Sequence, residues 1–383
     1  MEGEIPRAIS PPLFSVRVLT RPLAPPKMPS GEIAIVCERF DPHADFIIRK
    51  LRHIGHDPIR LNLDELAEGA SLNMSFPEGA SKGTIKTKHF TFDQERIRSI
   101  WWRKPKAFGR NPSLPGPQSK FANMEFSHFF GGMWQTMECY WISKPERIRN
   151  AVFKPEQISR AARFGFEVPR TCFTNDPEAA MSFYEQCGGN IIFKVMSDPS
   201  LGISGVGATF TDAGEPPSTF KAVFATPMSA KDLKENGDQI RMAPCQFQEY
   251  IPKEREFRIT VIGDEVFVAA IDSQSNERTK IDWRHYDVPM KISKGVLPEE
   301  IADRCVRLVK SYGLNYSTMD VILTPDGRYV FLENNPNGQW LFIEEKVPEL
   351  RLSDALISCL INGKPELFAD REYPIKIDTL GTA

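Results

Sequence analysis

The run Ile33-Ala34-Ile35-Val36-Cys37 has no polar member. A strand of that content needs apolar cover on both faces, as in a parallel sheet. Residues 43–54 follow with apolar positions at helical spacing and stop at Gly55, and Pro58-Ile59-Arg60-Leu61 reads as the next strand. Strand, helix and strand in this order form a β-α-β unit, so an open α/β domain begins here. Ile100-Trp101-Trp102 adds a strand ended by Arg103-Lys104-Pro105, and 106–119, rich in Pro and Gly, reads as a loop.

A helix is expected over about 120–140 and another over 155–164, with Gly165 as its stop. Val168 to Phe173 reads as a short strand. Asn175-Asp176-Pro177 caps the helix after it. Strands are expected at Ile191–Met196 and Gln246–Ile251 and an amphipathic helix at 298–312. Two hairpins are legible. Phe257–Ile262 and Val266–Ile271 flank Gly263-Asp264, and Val321–Leu323 and Tyr329–Leu332 flank Pro325-Asp326-Gly327. The expected divisions are a proline-rich flexible extension at 1–30, an open α/β domain at 31–135, a central domain at 136–247, a C-terminal domain at 248–370 and a tail at 371–383.

Pro6, Pro11, Pro12, Pro22, Pro25, Pro26 and Pro29 crowd the first thirty residues, which lack apolar periodicity and are expected to be extended or disordered. Met28 is an alternative start. The N-terminus lacks the apolar region of a secretion signal, and Glu2 and Glu4 do not suit an acid-poor transit peptide. No apolar run reaches the roughly 18 residues of a membrane helix. The 48 basic and 50 acidic residues give a formal charge of −2, without the basic footprint of a dedicated nucleic-acid binder. Seven scattered cysteines with no C-x-x-C pair suit free thiols in a reducing compartment. The reading is a cytoplasmic protein with neither nucleic acid nor membrane as partner.

No Walker-type phosphate loop, no G-x-G-x-x-G at the first β-α turn and no G-x-S-x-G elbow is present, so a nucleotide site must use another architecture. The second hairpin supplies the strongest chemistry. If its turn is the four residues 325–328, Thr324 faces Tyr329 and Asp320 faces Glu333, with Cβ atoms ~5 Å apart. Asn335 lies two residues on, on the same face. Two carboxylates and an amide oxygen then converge, and like charges that close repel unless a cation lies between them. All-oxygen ligands suit Mg²⁺. A three-residue bulged turn would instead shift the register by one and part the carboxylates. The bland alternative is a pair of strand-end polar residues in a solvated loop.

Lys194 sits in Ile191-Ile192-Phe193-Lys194-Val195-Met196, apolar on both sides, where an unpaired charge is costly. The loop Gly202-Ile203-Ser204-Gly205-Val206-Gly207 follows and is suited to covering phosphates with backbone N–H groups. The alternative is an edge-strand lysine reaching water. Lys154 opens a helix. Arg258 and Arg284 are candidates for clamping phosphate, each with a surface-charge alternative. His285 is a candidate base, although a lone histidine more often is not one. Lys253-Glu254-Arg255-Glu256 reads as a solvated charge run.

Taken in order, Lys154, Lys194, the glycine loop, Gln248-Glu249-Tyr250-Ile251, Glu256-x-Arg258, Asp320 and Glu333-x-Asn335 resemble the ATP-grasp ligases. Over about 31–365 the chain resembles, more narrowly, the ATP-grasp maturases of microviridin-type peptides (graspetides). The segments that carry this are Trp101-Trp102-Arg103-Lys104-Pro105, Lys154-Pro155-Glu156-Gln157, Gly165-Phe166-Glu167-Val168-Pro169-Arg170-Thr171, Asp282-Trp283-Arg284 and Asn335-Pro336-Asn337-Gly338-Gln339-Trp340. The resemblance implies an α/β chain with an ATP-grasp fold behind an open α/β pre-ATP-grasp domain.

It also implies roles. Lys154, Lys194 and Gly205 lie at the ATP phosphates. Gln248 binds the cofactor, and Glu249 accepts from the adenine amino group, with backbone groups of Tyr250 and Ile251 reading the adenine edge and Glu256 reaching the ribose. Asp320, Glu333 and Asn335 hold Mg²⁺, and Arg258 and Arg284 supply charge to the reacting phosphoryl group. The partners implied are a ribosomal precursor peptide, leader and core, and a second copy in a homodimer. A substrate carboxylate would become an acyl phosphate, and a Ser or Thr hydroxyl or a Lys amine would displace phosphate. The rivals are a ligase joining an amino acid to a small molecule or peptide terminus, and a non-catalytic ATP-binding module. A short neighbouring reading frame rich in Thr, Ser, Lys, Asp and Glu would favour the maturase over the first. Nucleotide affinity without carboxylate-dependent hydrolysis would favour the second.

Overall fold

A computed structural model of the protein describes residues 31–364 except 68, 110–112, 198–199, 202–220 and 286. The expected flexible extension 1–30, the glycine loop with Gly205 and the tail 371–383 lie outside the described residues.

The apolar run leads to the parallel sheet its composition requires. Glu32–Cys37 pairs in parallel with Ile59–Leu61 on one side and Ile97–Arg103 on the other, and Tyr140–Ile142 completes the sheet beyond Ile97–Arg103. Alternate residues serve two cores. Ile33, Ile35, Trp101 and Ile142 face helices Pro42–His53 and Leu352–Asn362. Ala34, Val36, Ile100 and Trp141 face Phe130, Met133 and Trp134 of helix Gly116–Thr136. The first unit therefore runs past the expected boundary at 135, since Tyr140–Ile142 belongs to its sheet. It also recruits the end of the described chain, where Ser99 Oγ donates to the Leu360 carbonyl at 2.6 Å. A small antiparallel sheet of Ser71–Ser75, Lys82–Lys86 and Thr91–Asp93 has no counterpart in the sequence reading. Its strands are short and polar, and only Ile85 and Phe92 are fully buried, too little apolar content to mark a period.

The central unit is an antiparallel sheet in the order Thr226–Met228, Ile191–Lys194, Cys245–Glu249, Thr171–Thr174. Helix Pro177–Gln186 backs it and is capped by Asp176 as expected, with Oδ1 accepting from Glu178 N at 3.0 Å. Cys245–Glu249 is an integral strand of this sheet, so the expected division at 247/248 cuts through it.

The third unit is a five-stranded antiparallel sheet in the order Ile292–Lys294, Glu265–Ile271, Arg255–Ile262, Tyr316–Leu323, Tyr329–Asn335. Phe257, Ile259, Val261, Met319, Val321 and Phe331 bury one face against helix Glu299–Ser311 and Ala161 of helix Lys154–Arg163. The Gly263 hairpin forms as read, with Ile262 opposite Glu265 and Gly263 at φ +60°. The opposite register positions, among them Arg258, Asp320 and Glu333, are left to face the cleft toward the central sheet.

Candidate active site

The second hairpin reaches the expected pairing by an unexpected route. Thr324 N donates to Arg328 O at 3.0 Å and Gly327 N to Thr324 O at 2.9 Å, so the connection is Pro325-Asp326-Gly327, with Gly327 at φ +86°. The four-residue turn with Thr324 facing Tyr329 is therefore corrected: Tyr329 faces Leu323. A glycine able to take positive φ makes the three-residue loop the better choice. That register alone would part the carboxylates. A bulge restores it, since Val321 faces Phe331 while Asp320 faces Glu333, with Leu332 as the extra residue. A bulge re-aims side chains, and here Leu332 and Glu333 both line the cleft.

Around this pair the charges interlock. Arg258 lies opposite Asp320 on the neighbouring strand and donates from one Nη to both carboxylate oxygens, at 2.9 Å each. The two side chains are only 8% and 13% exposed, so little water competes with the pairing. Lys154 Nζ meets Glu333 Oε2 at 2.5 Å. Asn335 Nδ2 donates to Glu333 Oε1 at 2.9 Å and reaches Asp320 Oδ2 at 3.5 Å. Burial pushes the Asp320 carboxyl up, opposed by Arg258 and reinforced by Glu333, to about 6. Burial also acts to raise Glu333, but Lys154, Lys194 and Arg284 outweigh it and hold this carboxyl well below its ordinary range. Burial lowers the Lys194 ammonium, and Glu333 opposes that effect.

A cleft open to solvent lies between the two sheets, its empty space about 610 Å³ with that open solvent included. Ile192, Ile251, Ile322 and Leu332 make one end apolar, beside Tyr250 and Gln248. Lys154, Lys194, Arg284, Glu333 and Asn335 line the other end. An apolar slot running into a cationic end with two carboxylates suits a planar base followed by phosphates. Among the described residues no group of three or more His, Cys, Asp or Glu is placed to hold a metal ion. Two carboxylates and one amide fit Mg²⁺ shared with phosphate oxygens, not an all-protein metal cage.

Of the expected site residues only Gly205 lies outside the described residues. Lys154, Lys194, Gln248, Tyr250, Ile251, Glu256, Arg284, Asp320, Glu333 and Asn335 all line the cleft. Arg258 stands behind Asp320. Glu249 also lines the cleft, but Arg170 holds its carboxylate in a fork, Nε to Oε2 at 3.0 Å and Nη2 to Oε1 at 2.9 Å. The carboxylate expected to accept from adenine is thus also held by Arg170, with lone pairs left for a further donor.

Sequence reasoning missed several contributors. Lys253 and Glu256 are not a solvated charge run: their side chains are each 5% exposed and paired at 2.6 Å, and Lys253 also donates to Ile281 O. Asp282 grips Arg284 by two hydrogen bonds at 2.8 and 2.6 Å and accepts from Ala225 N at 3.0 Å. Gln157, 1% exposed, bridges the Lys154 helix to Asn334. A polar residue at an apolar helix position was the available signal for Gln157. Nothing local marked Lys253. His285 stacks on Phe224, ring centroids 4.2 Å apart.

The segment after Asn335 docks the site on the first domain. Arg103 donates to Asn337 O at 2.6 Å and pairs with Asp41 at 3.2 Å, and Tyr316 OH donates to Gly338 O at 2.7 Å. Trp340 is fully buried, edge-on to His43 and Phe46. The Trp101–Pro105 and Asn335–Trp340 motifs therefore touch each other. A Cβ on Gly338 would lie 1.7 Å from Thr318 Oγ1. Gly338→Ala is accordingly expected to lower stability by about 1–3 kcal/mol or more through overpacking. Thermal unfolding with and without nucleotide checks it, and an unchanged midpoint would mean that the loop is free to shift.

A family model described as the MvdD pre-ATP grasp domain matches residues 41–149. Nothing among curated proteins matches the sequence. The chain is similar to the Chryseobacterium gregarium RiPP-associated ATP-grasp ligase solved with ADP and a leader and core peptide. The identity is 27%, the coverage 88% of this chain and 98% of that one, and the TM-score 0.76. It is similar to the macrocyclase MdnC of Microcystis aeruginosa bound with the precursor peptide MdnA, at 26% identity, 86% and 99% coverage and TM-score 0.72. D-alanyl-alanine synthetase A of Vibrio cholerae, at 12% identity, 87% and 98% coverage and TM-score 0.54, shares the fold.

Proposed function

From the premise that the chain belongs to the ATP-grasp ligases and resembles their microviridin-type peptide maturases, we propose that it crosslinks a ribosomal precursor peptide at the expense of ATP. Asp or Glu side chains supply the carboxylates and Ser or Thr hydroxyls or Lys amines the nucleophiles, giving ester or amide bonds. The observation that carries this is the facing pair Asp320 and Glu333 at the cationic end of an apolar cleft. ATP supplies the γ-phosphoryl group that turns a carboxylate into an acyl phosphate, and Mg²⁺ supplies charge to the phosphate oxygens.

The chain's own residues do the rest. Ile192, Ile322 and Leu332 would cover the base, and Gln248, Glu249 and the backbone groups of Tyr250 and Ile251 would bind its edge. Glu256, fixed by Lys253, faces the ribose. Asp320 and Glu333 would hold the cation by their carboxylates and Asn335 by its amide oxygen. Lys154, Lys194 and Arg284 then face the phosphates and Arg258 keeps Asp320 aimed. Phosphoryl transfer needs positioned charge more than covalent help. The Lys154–Glu333 contact gives that lysine two successive partners, the carboxylate first and phosphate when nucleotide enters.

The leader and core segments of the peptide, a homodimer and a cytoplasmic location complete the proposal. Among the described residues no helix is long and apolar enough to cross a membrane, and all seven cysteines are free. A peptide encoded beside this chain, incubated with the protein and Mg-ATP, is expected to lose the mass of one water per ring while ADP appears. ADP formation with free amino acids and no change in any candidate peptide would overturn the peptide reading in favour of a small-molecule ligase. Sedimentation of the purified chain tests the homodimer.

A further inference from the structure

Among the described residues strand Tyr329–Asn335 is the last strand of its sheet, with only an isolated bridge from Glu167 to Val330 along its outer edge. The outward N–H and C=O groups of an edge strand need partners when buried. At Phe331 the partner is Glu167, whose carbonyl accepts at 2.9 Å. At Asn334 it is a side chain. Gln157 Oε1 accepts from Asn334 N at 3.1 Å, and Gln157 Nε2 donates to Asn334 O at 2.7 Å. The second Nε2 proton goes to Ala151 O at 2.7 Å. The carboxamide thus acts as a one-residue substitute for a strand. Both its donors are used and its oxygen is engaged, which fixes its orientation.

Asn334 is the peptide unit between Glu333 and Asn335. Its own side chain is held too, Oδ1 accepting from Ser317 Oγ at 2.6 Å. Gln157 belongs to helix Lys154–Arg163, whose first residue contacts Glu333. One buried amide therefore fixes the main chain between the two residues read as cation ligands on this strand, and ties it to the helix bearing the lysine that neutralises one of them.

We propose that Gln157 is a positioning residue for the cation site: it sets the aim of Glu333 and Asn335 through the Asn334 peptide and so tunes affinity for the Mg²⁺-nucleotide. This rests on the reading of Asp320, Glu333 and Asn335 as cation ligands. Supporting groups of this kind alter metal affinity by roughly 10–100-fold when lost.

The test compares the full chain with Gln157→Leu, which keeps bulk and loses all three hydrogen bonds, and with Gln157→Glu, whose carboxylate has no proton to give the two carbonyls. Glu156→Gln is the control. Glu156 is Gln157's neighbour and holds Arg160 and Tyr312 on the far side of the same helix. The readout is the Mg²⁺ concentration that gives half of the ADP-induced rise in melting temperature, which needs no turnover. Gln157→Leu and Gln157→Glu are expected to raise it about tenfold or more, while Glu156→Gln leaves it unchanged and the KM for peptide stays within a factor of two or so in all variants that turn over. Excess Mg²⁺ is expected to restore the nucleotide shift in Gln157→Leu. A wild-type Mg²⁺ requirement in a Gln157→Leu protein that is less stable would overturn the proposal and leave Gln157 a packing residue. If neither variant folds, Ser317→Ala, which frees the Asn334 side chain from the other direction, is expected to raise the same requirement, and an unchanged value there overturns the proposal. A wild-type chain whose ADP shift ignores Mg²⁺ would instead overturn the cation site itself.

Discussion

Glu333→Gln is expected to leave the chain folded and to lower peptide-dependent ADP release by at least ~10²–10³-fold, the loss typical of removing one electrostatic contact to a reacting group. The side chain keeps its shape, so the cleft survives. What changes is charge. Lys154, Lys194 and Arg284 hold the Glu333 carboxyl in its ionised form, and the variant leaves these three cations facing an amide. The facing pair then has a single carboxylate, Asp320, which Arg258 already occupies, and a cation has little to bind. Asp320→Asn should act differently. It strips a buried arginine of its partner, and the loss of one member of a buried pair costs about 3–5 kcal/mol, so activity and stability should fall together. Release of ADP and the mass of the peptide product check both variants. Unchanged turnover in Glu333→Gln would sink the assignment of the site.

Lys50→Met should show the largest effect on stability alone. Lys50 Nζ sits 3.1 Å from Asp354 and 3.6 Å from Glu344, and donates to Ser353 Oγ at 2.6 Å. Glu344 also accepts from Ser353 N at 2.6 Å. All three charged side chains are at most 8% exposed. The network joins helix Pro42–His53 near the start of the described chain to helix Leu352–Asn362 near its end. Methionine fills the volume of the lysine stem but leaves two acids buried with less positive charge. The expected loss is about 3–5 kcal/mol. Burial already raises the Glu344 carboxyl and Lys50 opposes that, so Glu344→Gln in the Lys50→Met background should recover part of the loss. Denaturant unfolding followed by tryptophan fluorescence measures it, because Trp340 and Trp101 lie in the same core. A loss below about 1 kcal/mol would place the network among neutral buried pairs.

Much of the site was legible because its residues break local rules. Lys194 in an apolar strand and Asp320 and Glu333 at hairpin ends conflict with the pattern around them, and such conflicts gather at functional sites. The hairpin also shows where local reading stops. Turn chemistry at Gly327 favoured a three-residue loop, and only the bulge at Leu332 rescued the pairing. A bulge answers to packing on both faces of a sheet, and no single strand carries its signature. The same limit hid Lys253, which looks like part of any exposed charge run until the cleft closes over it.

By itself the sequence determined the parallel first sheet, both hairpins, the principal helices and the residue types available for phosphate and cation. Apolar period, caps and turn residues act within a few positions of one another, so they can be read along the chain. Tertiary structure alone decided who meets whom. It turned Glu249 to Arg170, stood Gln157 in for a missing strand, carried Leu352–Asn362 back to the first sheet and clasped Asn335–Trp340 against Arg103 and His43. These contacts join residues far apart in the chain, and each is chosen by burial and by the need to satisfy every polar group that burial removes from water.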